Sequence, residues 1–467
     1  MLLPLLIYSY FCGLRISDLT STTLQITSTT FIRPASDMGL TQRPTSTMSP
    51  TTAALPDKAT IPPVSGDSDT DTTDLGSFAS TETEEEDIEE LAEPFYKYSK
   101  KDTSRVFCPI CIGEVLNKRY CIEHKLGHGG FATVWLAHDL ETGTDVALKI
   151  MASGKSGELE VRMQEEIMQS VQDISHLVTY LATFSLSGED GCDHRVLVFP
   201  WRGDCLDTLR VKKMSMATRM SAARQLLEAL ESLHNAGIVH RDLNDRNCFW
   251  GTVPLHHLNR KAKYQLLSRP LKQSISWVDG LWKPGEYVKP LTIPIHLHTD
   301  TFYLGDFGLA MKLGNPVVPE QDGRPPTQFC SPERLHKRPP SIACDMWSYL
   351  CIFAELYLGF TPFTTMADGG AVTSMVRLLG PLPEDWKGEH IDPEYARDSW
   401  YDQDNKPSPD FNLRTQIERM HPDAGTDEWD LVYSILTRGF SYVPEERLTA
   451  TQLLQDASFK ALMDRYC

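Results

Sequence analysis

A chain of 467 residues with 41% hydrophobic side chains carries enough apolar surface for at least one large core, which excludes a wholly disordered protein. Its 63 acidic against 45 basic side chains leave a formal charge of −18, which excludes a general nucleic-acid-binding surface, because displacing phosphate counterions needs an excess of Lys and Arg. The 11 cysteines are spread too thinly for a disulfide framework and are read as thiols in a reducing compartment.

The first apolar run, Leu2 to Leu14, precedes its first basic residue, Arg15, an order opposite to that of a secretory signal, and it falls short of the ~20 residues that span a bilayer. A frayed end or a misassigned start is favoured over a signal or anchor. Residues 1–94 are expected to form a disordered segment, because Ser, Thr and Pro dominate from about Ser17 to Ser80 and cannot offset the entropy of ordering. The acidic run Glu82, Glu84, Glu85, Glu86, Asp87, Glu89, Glu90 and Glu93 is read as solvated charge in preference to a docking segment for basic partners. Folded sequence is expected to begin at the aromatic cluster Phe95, Tyr96 and Tyr98.

The pair Cys108 and Cys111 lacks the second pair of ligands that a structural zinc needs, and nearby Cys121 and His124 fit a strand better. The stretch "LGHGGFATVWLAHD", from Leu126, reads as a glycine-rich turn between antiparallel strands, with Gly127 and Gly129 ahead of Val134 and with Ala132 in a third small position. Lys149 ends the strand "VALKI", where an ammonium between apolar residues is costly unless it meets an anion. An amphipathic helix, "ELEVRMQEEIMQSV", follows, and Glu166 is expected to supply the partner carboxylate, with Glu165 as the neighbouring alternative.

The tract "VHRDLNDRNCFW" brings His240, Arg241, Asp242 and Asn247, and "LGDFGLA" brings Asp306, Phe307 and Gly308. With "SPE" at Ser331 to Glu333, Asp345 and Arg447, this ordered series resembles the eukaryotic protein kinases over roughly residues 112–459. The resemblance implies an α+β, two-lobed kinase fold: a small sheet-rich lobe at 95–200 and a larger helical lobe at 201–467. It implies ATP and Mg²⁺ as cofactors. Lys149 would hold the nucleotide's α- and β-phosphates with Glu166 beside it, Asn247 and Asp306 would bind the metal, and Asp242 would take the proton of the attacking hydroxyl. Leu126, Gly127, Gly129, Val134 and Ala147 would line the nucleotide, and the carbonyl of Pro200 and the amide of Arg202 would contact adenine. Glu333 would pair with Arg447.

The catalytic loop departs from the usual serine/threonine form, with Asn244 in place of a lysine, and Arg246 is read as the replacement cation. Within the family, "IGEVLNKRYCIEHKLGHGGFATVWLAHD" resembles the SR-protein kinases and their fungal relatives. An insert of roughly forty residues, at about 254–298, exceeds ordinary loop length and is expected to be partly ordered. Its Lys261, Lys263, Arg269 and Lys272 form the most basic region of the chain and a candidate partner contact, whereas His256, His257 and His296 read as surface histidines. Of the activation segment's hydroxyls only Thr327 and Ser331 are found, so activity without loop phosphorylation is expected, with Glu320 or Asp322 supplying charge. The expectation is a monomeric, cytoplasmic or nuclear kinase without direct nucleic-acid contact or stable membrane association. It would phosphorylate Ser or Thr of protein substrates, with basic Arg/Ser-rich proteins as the leading class. A nucleotide-binding pseudokinase scaffold is the alternative; a small-molecule kinase is disfavoured by the SPE segment and Arg447.

Overall fold

The structure, a computed structural model, describes residues 74–467 apart from 155, 189–192, 279, 316–322, 391 and 393. The apolar start, the Ser/Thr/Pro-rich stretch up to residue 73, Glu320 and Asp322 therefore lie outside the described residues.

The acidic run keeps its charges at least partly exposed, as expected, Glu93 apart, but it is ordered rather than part of a disordered segment. A short strand, β1 (Ser77–Phe78), leads into a helix, α1 (Glu82–Leu91), whose N-cap Thr81 accepts the amide of Glu84. Glu82, Glu84 and Glu85 crowd the first turn, where the helix dipole favours negative charge. Ile88 and Ala92, one turn apart, bury against Phe107, Ile275, Val278 and Tyr287. The negative composition concealed this narrow apolar stripe, so the folded chain begins about twenty residues before the expected boundary.

Six antiparallel strands then form the small lobe's sheet: β2 (Val115–Leu116), β3 (Tyr120–His128), β4 (Ala132–Asp139), β5 (Thr144–Met151), β6 (Ala182–Ser187) and β7 (Asp193–Pro200), in the order β2-β3-β4-β5-β7-β6. Helix α2 (Ser156–Ser170) joins β5 to the strands that follow. The two-residue period of a strand sorts the side chains. Trp135, Ala137, Leu148, Ile150, Val196 and Val198 make an outer core, while Ala147, Leu197 and Phe199 join Val134 on the opposite face. Lys149 alternates with Leu148 and Ile150 and so stands on that second face.

In the large lobe a single helical turn at Thr208–Val211 precedes α3 (Met216–Asn235), which is followed by β8 (Ile238–Val239) and β9 (Cys248–Thr252). The insert comes next. It forms α4 (Arg260–Leu267), β10 (Leu271–Ser274) and β11 (Glu286–Val288) before β12 (His298–Leu304) pairs back with β9. Although its sequence lies within the large lobe, the insert packs on the small one. β1 runs parallel to β10, Glu286 N–H donates to the Ile110 carbonyl, and Leu291 N–H donates to the Lys125 carbonyl. Two of its basic residues, Lys263 and Lys272, are buried, and Arg269 is paired at the surface. Lys263 reaches Glu123 (2.8 Å) and Asp145 (2.5 Å), Lys272 reaches Glu286 (2.8 Å), and Arg269 reaches Asp74 (2.6 Å). Lys261, His256, His257 and His296 are exposed. A cation taken out of water needs a carboxylate close by, which the sheet supplies to Lys263 and β11 of the insert supplies to Lys272.

After β13 (Met311–Lys312), which pairs with β8, the large lobe is built round α5 (Ile342–Leu358). α5 is buried on every side; it is capped by Ser341 and ends at Gly359, whose φ of 79° suits a residue without a Cβ. The remaining helices, α6 (Gly370–Leu379), α7 (Leu413–Met420), α8 (Thr426–Gly439), α9 (Ala450–Gln455) and α10 (Ala457–Tyr466), complete this lobe, with most of them adding apolar residues to its core. Glu333 and Arg447 form a bidentate pair (2.9 and 3.1 Å) in the same interior. Among the described residues no helix is long and apolar enough to cross a membrane, and the described cysteines are free.

One buried carboxyl on α5 makes stability depend on pH. Thr208 Oγ1 donates to Glu355 Oε1, and Oε2 is buried without a hydrogen-bond partner among the described residues. Burial, and after it the charge of Asp245, push the Glu355 carboxyl up to about 8. Between about pH 4.5 and 8 the folded chain therefore keeps a proton that the unfolded chain has lost, and stability falls as pH rises through that window. Glu355→Gln is expected to raise stability by about 2–4 kcal/mol at pH 8 and by little at pH 5, read by thermal melts at both values. An equal shift at the two pH values would contradict a protonated Glu355.

Candidate active site

The site lies where the second face of the small sheet meets β9, β12 and the loop after β8. Its roof is the turn between β3 and β4. Gly129 N–H donates to the Ala132 carbonyl (2.8 Å), and a Cβ added at Gly127, Gly129 or Gly130 would meet nothing within 4 Å. The turn leaves open space, as close approach of a phosphate would require. Leu126, Val134 and Ala147 fall in one apolar cluster with Phe199, Phe249 and Tyr303, between the sheet and the large lobe. Phe249, on β9 just beyond the catalytic loop, escaped the sequence reading. At the edge of the cluster, Pro200 ends β7 opposite Val146, and the Arg202 guanidinium stacks 3.9 Å over the Tyr303 ring.

Lys149 corrects one expectation. Its ammonium donates to both oxygens of Glu160 (2.9 and 2.8 Å) and to Asp306 Oδ1 (2.9 Å), and neither Glu166 nor Glu165 takes part. Glu166 instead pairs with Lys312 on β13 (2.6 Å), and Glu165 meets the Tyr180 hydroxyl (3.5 Å). At 100° per residue, Glu166 lies about 120° round the helix from Glu160, on a half-exposed face. The signal was present in the sequence. Glu160, Gln164, Ile167 and Val171 repeat at four, three and four residues and mark the buried face of α2 and the coil beyond it.

Burial opposes the charge on Lys149, but Asp306 and Glu160 outweigh it and hold the ammonium protonated. Burial also pushes Asp306 up, and Lys149 more than reverses that, leaving the carboxyl below its usual range. Glu160, deeper in the protein, is raised by burial that Lys149 only partly offsets.

Asp345 on α5 organises the catalytic loop. One of its oxygens accepts the His240 amide (2.7 Å) and the other the Arg241 amide (2.9 Å), holding Arg241 at a φ of 69°. Buried His240 accepts the Asp242 amide on Nδ1 (3.2 Å) and donates from Nε2 to the Gly305 carbonyl (3.0 Å), which ties this loop to the residue before Asp306. The Arg241 guanidinium donates to the carbonyls of Leu309 (3.1 Å) and Gly323 (3.3 Å), joining the two flanks of residues 316–322. Ser331 is buried and Thr327 half-buried.

Asn247 Nδ2 donates to the Asp242 carbonyl (2.8 Å) and to Oδ2 (3.1 Å), while Asn244 Nδ2 donates to the same carbonyl (2.8 Å) and to Oδ1 (3.2 Å). Both Asp242 oxygens are thus oriented by neutral donors. Burial, and after it the negative charge of Asp306, raise this carboxyl to about 7, which makes it a ready proton acceptor near neutral pH. Arg246 is exposed; its amide is held by Asn244 and Asp245, and its guanidinium is bonded to neither Asp242 nor Asp306.

The donor set suits a hard divalent cation. Asn247 spends its amide nitrogen on Asp242, which leaves its carbonyl oxygen, and Asp306 engages Lys149 and the Gly308 amide through Oδ1, which leaves Oδ2. No group of three His, Cys, Asp or Glu side chains that could hold a metal occurs among the described residues, so any cation here would be completed by ligands such as phosphate oxygens. Cys108 and Cys111 are held as thiols, their pKa values raised by burial to about 12 and about 11.

Residues 120–380 match the family described as protein tyrosine and serine/threonine kinase. The chain is 24% identical over 370 residues to a probable serine/threonine-protein kinase clkA of Dictyostelium discoideum, covering 76% of this chain and 37% of that protein. It is 25% identical over 383 residues to the serine/threonine-protein kinase SRPK of Physarum polycephalum, covering 74% and 87%. It is 26% identical over 360 residues to a probable cell division control protein 7 homolog 2 of Encephalitozoon cuniculi, covering 74% and 93%.

Proposed function

Because this chain belongs to the protein tyrosine and serine/threonine kinase family, we propose that it transfers the γ-phosphate of ATP to serine or threonine of protein substrates. The observation that carries this reading is Lys149, bound at once to Glu160 on α2 and to Asp306 across the cleft, with Asp242 and Asn247 joined beside them. Phosphoryl transfer asks the protein for position and charge more than for covalent chemistry.

In this reading adenine lies against the cluster of Leu126, Val134, Ala147 and Phe249, with the Pro200 carbonyl and Arg202 amide at its edge. The open turn at Gly127 and Gly129 covers the phosphates, and Lys149 neutralises them. Mg²⁺, bound through Asn247 and Asp306, would supply charge stabilisation. Asp242 orients the acceptor hydroxyl and takes its proton. Exposed Arg246 is free of Asp242 and Asp306 and could turn toward an incoming phosphate in place of the missing lysine. Asn244 donates to Asp242 rather than displacing it, which weakens the case for a scaffold without turnover.

The substrate class that best suits a chain of charge −18 is basic. Similarity to the Physarum SRPK supports Arg/Ser-rich proteins as acceptors. The reading places the enzyme in the cytoplasm, nucleus or both, as a monomer with no direct nucleic-acid or stable membrane contact. A peptide library containing Ser, Thr and Tyr acceptors in basic and acidic contexts tests the acceptor. Incorporation into Ser or Thr flanked by Arg is expected, and exclusive incorporation into Tyr or into acidic peptides would contradict it.

A further inference from the structure

The chain between α1 and β2 is fastened at two points to the strands that carry the glycine-rich turn. At the first, Glu93 and Lys125 form an ion pair with both side chains fully buried, and the Tyr98 hydroxyl donates to the same carboxylate. Lys125 is the residue before Leu126 on β3. At the second, Val106 N–H donates to Ser153 Oγ (3.0 Å) and Ser153 N–H donates to the Val106 carbonyl (2.8 Å), just past the end of β5.

Between these anchors the segment reaches the tip of the turn. Lys97 Nζ donates to the Gly130 carbonyl (3.1 Å), and the Arg105 guanidinium lies 4.8 Å over the ring of Phe131, itself half exposed. The Phe131 carbonyl accepts the Ala152 amide (2.7 Å). Two successive carbonyls and one ring at the tip are therefore held from outside the turn. A trans peptide is planar, so fixing the Gly130 oxygen on Lys97 points the Phe131 N–H the opposite way, off the segment. A turn whose glycines touch nothing on their open sides has little else to define its tip.

We propose that the segment from Glu93 to Phe107 presets the glycine-rich turn for the nucleotide's phosphates, with Lys97 and Arg105 as positioning residues. The assignment rests on the kinase reading above. It predicts a cost confined to ligands that carry phosphates, because the apolar cluster that meets adenine lies on other residues.

The test is equilibrium binding of MgATP and of adenosine to the full chain, with thermal melts of each variant. Lys97→Met keeps the aliphatic stem and removes the donor. It is expected to raise Kd for MgATP about fivefold, the loss of one hydrogen bond, while adenosine affinity and Tm stay unchanged. Lys97→Arg restores a donor and is expected to return MgATP affinity to within about twofold of the original. Unchanged MgATP affinity in Lys97→Met overturns the proposal, as does parallel weakening of both ligands or a fall in Tm, each of which marks a purely structural role. Failure of the unmodified chain to bind either ligand overturns the kinase reading and this assignment with it, so the two failures are told apart.

Discussion

Asp242→Asn is expected to lower kcat for peptide phosphorylation by about 10²- to 10⁴-fold, the usual worth of a positioned general base. The substitution keeps the shape of the side chain but removes its charge and one of its two acceptor oxygens. Asn247 and Asn244 now donate one to each carboxylate oxygen, so an amide here would leave one of them with only the Asp242 carbonyl as acceptor. The loop itself should hold, because its backbone is fixed through Asp345 and His240 rather than through the Asp242 carboxylate. MgATP affinity should accordingly change little. Turnover measured alongside nucleotide binding checks both statements, and a kcat within tenfold of the unmodified enzyme would remove Asp242 from its assigned role.

Glu160→Gln and Glu166→Gln are expected to differ sharply. Glu160 is buried, takes two bonds from Lys149 and holds that ammonium against Asp306, so its replacement should lower kcat/KM by about 10- to 100-fold, matching a lost charge-assisted hydrogen bond. Without it, Lys149 keeps only Asp306 as a partner and competes with a metal for that carboxylate. Glu166 pairs with Lys312 at the protein surface, where such pairs contribute about 0–1 kcal/mol, and its replacement should leave kcat/KM within about threefold. Steady-state kinetics of the two variants decide the matter, and the opposite ranking would restore the assignment drawn from sequence spacing.

That pair of glutamates shows how far a sequence can be read. Lys149, Asp242, Asn247 and Asp306 stand in short runs whose local order leaves little choice, and the structure gathers them in one cleft. The partner of Lys149 instead depends on which face of α2 turns inward. Four acidic residues on one helix look alike until the buried repeat of Glu160, Gln164, Ile167 and Val171 is followed. Phe249 was hidden for a similar reason, since its place in the cluster with Leu126, Val134 and Ala147 is set by the pairing of β9 with β12 across a long insert.

Composition misled in two places. The acidic run reads as part of a disordered segment because its few apolar residues, Ile88 and Ala92 among them, are outnumbered, yet they suffice to seat α1 on the insert while the charges other than Glu93 stay at least partly exposed. The basic residues of the insert looked like a contact surface, but Lys263 and Arg269 answer carboxylates distant in sequence and Lys272 answers Glu286 within the insert. The apolar seat of Ile88 and Ala92 and the carboxylates that meet Lys263 and Arg269 lie about 120 to 200 residues away along the chain, and no local window contains them.

Phosphoryl transfer by this cleft is tested by incorporation of labelled γ-phosphate from MgATP into an Arg/Ser-repeat peptide by the full chain, with Asp242→Asn run beside it. Incorporation into serine that the variant loses is expected; nucleotide binding without transfer to any Ser, Thr or Tyr acceptor would show that the cleft is not a phosphotransferase.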